Sequence, residues 1–117
     1  MKKIISILLG ICLCGGVFAQ TQLKIISFNI HAGYDAPISD IAAFIKEQDP
    51  DIVALQEVDN RSLGIFNHDY LSELAESTGM HSQFFALVGT YYGIGILSKT
   101  EPISVKTQSF APSDTSK

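Results

Sequence analysis

The stretch PDIVALQEVD, residues 50–59, decides the fold, because a helix stop, an apolar strand and a carboxylate follow one another in it. Pro50 prevents a helix from continuing into the segment. Residues 52–58 are rich in apolar and β-branched side chains, which predicts a buried strand. In that strand Val53, Leu55 and Glu57 share one face. A strand that is buried along its length and ends in a carboxylate is a common way to build an active site, so Glu57 is the first candidate residue.

The segment before this strand predicts a second strand and a helix. Five of the eight residues 23–30 are apolar, and we interpret this segment as a central strand with both faces covered. A loop follows over residues 31–37. Apolar side chains at i, i+3, i+4 and i+7 from Ile38 then predict an amphipathic helix that ends near Gln48, with Ser39 as a plausible cap. A strand, helix, strand unit of this kind should place its two strands parallel.

The segment after residues 50–59 predicts one more helix and three strands. Residues 60–66 form a loop, and Asn67 is a candidate cap for a helix that Gly79 closes. Apolar side chains that repeat at helical spacing support this helix: Tyr70, Leu71, Leu74 and Ala75. Strands are expected at residues 83–87, 94–98 and 103–110, and hairpin pairing among them would give a mixed sheet. The chain therefore belongs to the α/β class.

The first 19 residues have the pattern of a secretory signal peptide. Two lysines precede an apolar run that is too short to cross a bilayer, and small residues at Val17 and Ala19 predict cleavage before Gln20. The alternatives are a buried N-terminal helix and a lipid anchor on Cys12, although Ile11 stands where an anchor motif needs a small residue. Both cysteines lie in this segment, so the mature chain has no disulfide framework. The protein is expected to be exported, either periplasmic or secreted, with no transmembrane segment.

The mature chain, residues 20–117, is acidic. It has 6 basic and 12 acidic residues, a formal net charge of −6. Such a chain lacks the basic surface that neutralises phosphates along a duplex, so non-specific binding to nucleic acid is disfavoured without being excluded.

Three segments of this sequence resemble successive motifs of the endonuclease/exonuclease/phosphatase family: ISFNIH at 26–31, PDIVALQEVD at 50–59 and YGIGILSK at 92–99. They occur in the family's order, and the resemblance extends over about residues 23–107, the N-terminal half of such a domain. It implies a four-layer α/β sandwich of two mixed sheets with helices outside. It also implies hydrolysis of phosphate esters with a divalent metal, usually Mg²⁺, with Mn²⁺ as the alternative. The position that matches the family's metal-binding glutamate is Glu57, and the matching asparagine is Asn29.

The chemistry of the candidate residues fits these implied roles. Mg²⁺ prefers oxygen ligands and often takes only one or two carboxylates, as Glu57 would provide. Asn29 could bind a phosphate oxygen or a metal-bound water through its amide. Arg61, His31 and Tyr92 are the other candidates for contact with the substrate. Their structural alternatives are a solvated loop charge, a turn residue and an aromatic core residue. Three further residues are expected to have no catalytic role: His68, His81 and Asp59.

Two motifs of the family's second half are missing from this sequence. There is no Gly-Asp-x-Asn, and residues 113–115 read Ser-Asp-Thr where the closing motif is Ser-Asp-His. No histidine follows His81. The sequence therefore predicts an N-terminal fragment of a phosphoesterase, without significant turnover by itself. Its substrates would be phosphodiesters of lipids, nucleotides or sugars. The alternative is a non-catalytic exported binding module, or a pseudoenzyme remnant, on the same scaffold.

Overall fold

A computed structural model describes residues 21–60 and 68–108 of the chain. The strands and helices, in chain order, are β1 (Ile25–Asn29), α1 (Ile38–Gln48), β2 (Ile52–Asp59), α2 (Tyr70–Thr78), β3 (His81–Val88) and β4 (Tyr92–Ser98), with a short 3-10 turn at His31–Gly33. The predicted signal peptide at 1–19, the candidate cap Asn67 and the Ser-Asp-Thr segment lie outside the described residues.

The four strands form one mixed sheet in the order β1-β2-β4-β3. β1 and β2 are parallel, as the strand, helix, strand pattern predicts, and α1 makes the crossover between them. β4 is antiparallel to both of its neighbours, so β3 and β4 form the expected hairpin. The predicted α/β class is confirmed.

One face of the sheet packs against the two helices and holds the core. The buried side chains alternate along β2 and β4 and meet apolar residues of α1 and α2. Those least exposed are Ile45, Val53, Leu55, Val58, Leu71, Leu74 and Leu97. No strand or helix of residues 21–60 and 68–108 covers the opposite face. The described residues thus provide one sheet and one helical layer of the four layers that the family resemblance implies.

The helix ends are set by residues that the sequence identified only in part. Gly79 closes α2 with a left-handed backbone at φ 71°, as predicted. Asp69 caps the start of α2, where its Oδ1 accepts a hydrogen bond from the Ser72 backbone N–H at 3.0 Å. The prediction that Ser39 caps α1 is wrong, because Pro37 is the N-cap and Ser39 lies inside the helix.

Two strand predictions also differ from the structure. β1 is an edge strand of the described sheet and not a central one, since it pairs only with β2, and 57% of Ile25 is exposed. The strand predicted at 103–110 is absent over its described part, residues 103–108. The apolar side chains Ile103 and Val105 are exposed there, because no described strand pairs with the segment. No helix in the described ranges has the length and hydrophobicity needed to cross a membrane.

The two glycines of β4, Gly93 and Gly95, are needed for close packing. A Cβ on Gly93 would lie 2.0 Å from the backbone oxygen of Phe85 on β3. A Cβ on Gly95 would lie 2.7 Å from the Leu71 side chain of α2. β4 can therefore approach both the neighbouring strand and the helix only because these side chains are missing.

Candidate functional site

Three adjacent strands bring Asn29, Glu57 and Tyr92 together at one edge of the sheet. Asn29 is the last residue of β1, and Glu57 lies two residues before the end of β2. Tyr92 is the first residue of β4, which runs antiparallel to β2, so it reaches the same edge. Parallel and antiparallel pairing together thus assemble residues that are far apart in sequence.

A β-bulge in β2 sets the position of Glu57. The register with β4 passes from Leu55 opposite Gly95 to Val58 opposite Gly93, so β2 holds one extra residue in this interval. Glu57 has a left-handed backbone with φ 55°. Val58, and not Glu57, continues the buried face of Val53 and Leu55. The prediction that Glu57 shares their face is wrong, because the bulge interrupts the alternation on which it was based.

Both oxygens of the Glu57 carboxylate accept hydrogen bonds from the flanking strands. Asn29 Nδ2 donates to Oε1 at 2.7 Å, and the Tyr92 hydroxyl donates to Oε2 at 2.9 Å. The bond from Asn29 has the largest effect on the pKa of Glu57, and the bond from Tyr92 has the next largest. Both lower this pKa below its usual range. The pKa of the Tyr92 hydroxyl is raised, mainly by burial and to a smaller extent by the bond to Glu57. The carboxylate is therefore held in its charged form and in one orientation.

The Asn29 amide is fixed at both of its ends. Its Oδ1 accepts a hydrogen bond from the His31 backbone N–H at 2.7 Å, while Nδ2 donates to Glu57. The first of these contacts is an Asx turn that ends β1. The amide group cannot turn around without losing both contacts, so the Nδ2 donor faces the carboxylate.

A strained turn places His31 beside this cluster. His31, Ala32 and Gly33 have consecutive left-handed backbones with φ of 45°, 49° and 77°. His31 Nδ1 lies 2.9 Å from Asp35 Oδ2, and this bond is the main cause of the raised pKa of His31, with Glu57 adding a smaller effect. Sequence reasoning missed Asp35, although its position four residues after His31 in a polar loop was a usable signal.

The remaining candidates are scattered. Arg61 lies outside the described residues. His68 Nδ1 lies 3.1 Å from Oε1 of Glu73 on α2. His81 begins β3, at the opposite end of the sheet from Glu57. Asp59 is the last residue of β2 and is 94% buried, so it belongs to the strand and not to the following loop. Its negative charge adds to the raised pKa of Tyr92.

The donor set at Glu57 suits a hard cation bound by few protein ligands. Within residues 21–60 and 68–108 there is no group of three or more His, Cys, Asp or Glu side chains arranged to hold a metal. Each carboxylate oxygen of Glu57 has lone-pair capacity beyond the one hydrogen bond it accepts. Mg²⁺ commonly keeps several waters and takes one or two carboxylates together with substrate phosphates, and the residues present fit that mode.

Comparison with known proteins identifies the family of this chain. The sequence model of the Endonuclease/Exonuclease/phosphatase family matches residues 26–116, which is most of the chain. The chain therefore belongs to the endonuclease/exonuclease/phosphatase family, whose members are typically hydrolytic enzymes.

A solved structure shows the same fold. The crystal structure of an endonuclease/exonuclease/phosphatase from Beutenbergia cavernae DSM 12333 superposes with a TM-score of 0.51 at 25% identity, over 66% of this chain. The match covers 26% of that protein, so the chain spans about a quarter of its length. No curated protein sequence matches the chain.

Proposed function

We propose that this chain carries the metal-binding part of a hydrolase of phosphate esters, with Mg²⁺, or alternatively Mn²⁺, at Glu57. The observation that carries the proposal is the Glu57 carboxylate, which is charged, partly exposed and hydrogen-bonded at both oxygens at the edge of the sheet. A carboxylate that is oriented before the ion arrives is what a site with few protein ligands requires.

Each residue of the site has a role in this proposal. When bound, the metal would offset negative charge on the phosphate oxygens and lower the pKa of a bound water. Glu57 holds the ion. Asn29 keeps the carboxylate in place and is the second candidate to contact the ion or the phosphate. His31, whose raised pKa favours the charged imidazolium, donates to a phosphate oxygen while Asp35 holds its ring. Arg61 and Tyr92 are the remaining candidates for contact with the substrate.

The proposed substrates are small phosphodiesters of lipids, nucleotides or sugars. The acidic balance of residues 20–117 favours such molecules over duplex DNA. The signal-like N-terminus supports a periplasmic or secreted location, where these substrates would be met.

The second candidate function is metal-dependent binding without catalysis. One observation favours it specifically. Among the described residues, Glu57 provides the carboxylate that Asn29 and Tyr92 both hydrogen-bond, and His31 is the histidine whose charge acts on that carboxylate. On this alternative the chain would hold a phosphate ester on a metal without hydrolysing it.

The first test is Mn²⁺ affinity of the full chain, measured by water-proton relaxation. Glu57→Gln should weaken binding by more than about tenfold, because losing even a group that supports a metal ligand typically costs 10–100-fold. Glu76→Gln removes an exposed carboxylate on α2 and should leave the affinity unchanged. Equal affinity of wild type and Glu57→Gln would exclude the proposed metal site.

A second measurement separates the two candidate functions. Diethyl phosphate should show ³¹P line broadening by the Mn²⁺-loaded chain under either function, and this broadening should disappear in Glu57→Gln. Bis(4-nitrophenyl) phosphate tests turnover, which we expect to stay at the level of free Mn²⁺. Turnover above that level that depends on Glu57 would show that the chain is itself a hydrolase.

A further inference from the structure

Tyr92, which the sequence predicts to contact the substrate, is instead hydrogen-bonded to the carboxylate of the candidate site. It begins β4, its side chain is partly buried, and its hydroxyl donates to Glu57 Oε2 at 2.9 Å. A hydroxyl that is already bonded to Glu57 would act first on the carboxylate and only through it on an ion or a substrate.

We propose that Tyr92 is a positioning residue, which fixes the orientation of the Glu57 carboxylate for metal binding. The inference rests on the proposed metal role of Glu57. It assigns the tyrosine hydroxyl a task that is distinct from contact with the substrate.

The geometry supports this role because the two hydrogen bonds come from opposite sides. Asn29 is on β1 and Tyr92 is on β4, the two strands that flank β2. A glutamate side chain has three rotatable bonds, and one hydrogen bond to Oε1 would still let the carboxylate turn about that contact. The second bond, to Oε2, removes this freedom. The carboxylate is then fixed across three adjacent strands.

Strand pairing on both sides of β4 fixes the backbone position from which the Tyr92 side chain extends. Tyr92 lies opposite Asp59 of β2 and opposite Val88 of β3. The next residue, Gly93, is in close contact with the backbone of Phe85. A hydroxyl presented by a ring on a strand paired at both edges can hold its partner more firmly than one on a loop.

The test is Tyr92→Phe in the full chain, with Mn²⁺ affinity measured by water-proton relaxation. Phenylalanine keeps the ring and removes only the hydroxyl. We expect affinity to fall by about tenfold, the lower end of the usual effect of losing a group that supports a metal ligand. Tyr34→Phe is the matched control, since Tyr34 is an exposed tyrosine beside His31 and no hydrogen bond joins it to Glu57. Its affinity should equal that of wild type.

A readout without metal distinguishes positioning from a general structural role. Exchange of the Asn29 side-chain amide protons, followed by NMR with EDTA present, should become faster in Tyr92→Phe because the carboxylate that accepts from Nδ2 can turn. The thermal midpoint of metal-free Tyr92→Phe should stay close to that of Tyr34→Phe. Weaker Mn²⁺ binding together with a large loss of thermal stability in Tyr92→Phe would instead indicate a packing role and overturn the inference.

Failure of this inference can be told apart from failure of the proposed function. If Glu57→Gln loses Mn²⁺ affinity and Tyr92→Phe retains it, only the positioning role of Tyr92 is wrong. If Glu57→Gln binds Mn²⁺ like wild type, or if the wild-type chain binds none, both proposals are wrong.

Discussion

Glu57 combines a candidate metal ligand with a backbone conformation that glutamate rarely adopts. Its φ of 55° lies in the left-handed region, which costs a residue with a Cβ about 1–2 kcal/mol. Such outliers persist where the surrounding structure holds them, and they are common at functional sites. Here the bulge in β2 and the bonds from Asn29 and Tyr92 hold the residue in place.

The backbone strain at Glu57 predicts an inverted order of stability for two substitutions. Inside a regular strand glycine is usually worse than alanine, but at a left-handed position glycine is the better residue. Glu57→Gly should therefore have a thermal midpoint about 4–8 °C above that of Glu57→Ala, the shift expected for about 1 kcal/mol in a domain of this size. Both variants lose the carboxylate, so each serves as the control for the other. A higher midpoint for the alanine variant would mean that the position is not strained in solution.

The sequence singles out Glu57 and Asn29 as candidate site residues, but it does not reveal the bulge that sets the position of Glu57. An apolar strand that ends in a carboxylate can be recognised from residue types alone. The bulge depends on how β2 aligns with β4, a strand more than thirty residues away, and no local pattern around Glu57 encodes it. The hydroxyl partner of Glu57 was missed for the same reason, because the contact joins residues 57 and 92.

At the scale of elements, one ion network joins the starts of β1 and β2 to the end of β4. Asp51 Oδ2 accepts a hydrogen bond from the Lys24 backbone N–H at 2.8 Å, and Lys99 Nζ lies 3.5 Å from Asp51 Oδ1. Lys99 also pairs with Asp49 after α1, at 2.8 Å. The pKa of Asp51 is held below its usual range, mainly by the hydrogen bond from the Lys24 backbone and to a smaller extent by the charge of Lys99.

This lowered pKa predicts how the effect of one variant depends on pH. A carboxylate whose pKa is lower in the folded state stabilises the fold above its unfolded pKa, near 4, and loses that contribution as pH falls through its folded pKa. Asp51→Asn resembles the protonated group. Urea unfolding should therefore show the variant less stable than wild type at pH 7, with the difference shrinking below pH 4. A difference that stays constant over this range would contradict the assignment.

The regular elements were more predictable than their surroundings. α1 was predicted from the spacing of its apolar residues, and the structure gives Ile38–Gln48. Segments whose state depends on a partner strand were less predictable. The edge position of β1 and the absence of a strand over residues 103–108 both follow from which strands pair, which residue composition does not reveal.

At the scale of the molecule, the sheet presents an apolar face that no described strand or helix covers. Phe85, Ile94 and Ile96 line an open depression of about 440 Å³ on it, and Ile52 lies on the same face. Exposed apolar patches of this kind favour association. The family resemblance implies that a second sheet packs here.

The open face predicts how the chain behaves in solution. Ile96→Thr keeps a β-branched side chain but makes the centre of the face less apolar. It should therefore reduce the binding of a hydrophobic dye. It should also reduce any concentration-dependent association, as measured by sedimentation. Ile103→Thr is the matched control, because Ile103 is fully exposed outside the strands. Equal dye binding by wild type and Ile96→Thr would indicate that the face is covered in solution.

The strand order β1-β2-β4-β3 also governs the sequence of events as the chain leaves the ribosome. β1, α1 and β2 emerge first and can pair at once. β3 emerges before β4 but pairs only with β4, so it has no partner strand until β4 has emerged. Residues 81–88 must therefore wait for residues 92–98, and the nascent chain exposes one free edge of β2 during that interval. Pausing of translation between β3 and β4 would prolong the interval and with it the exposure to misfolding.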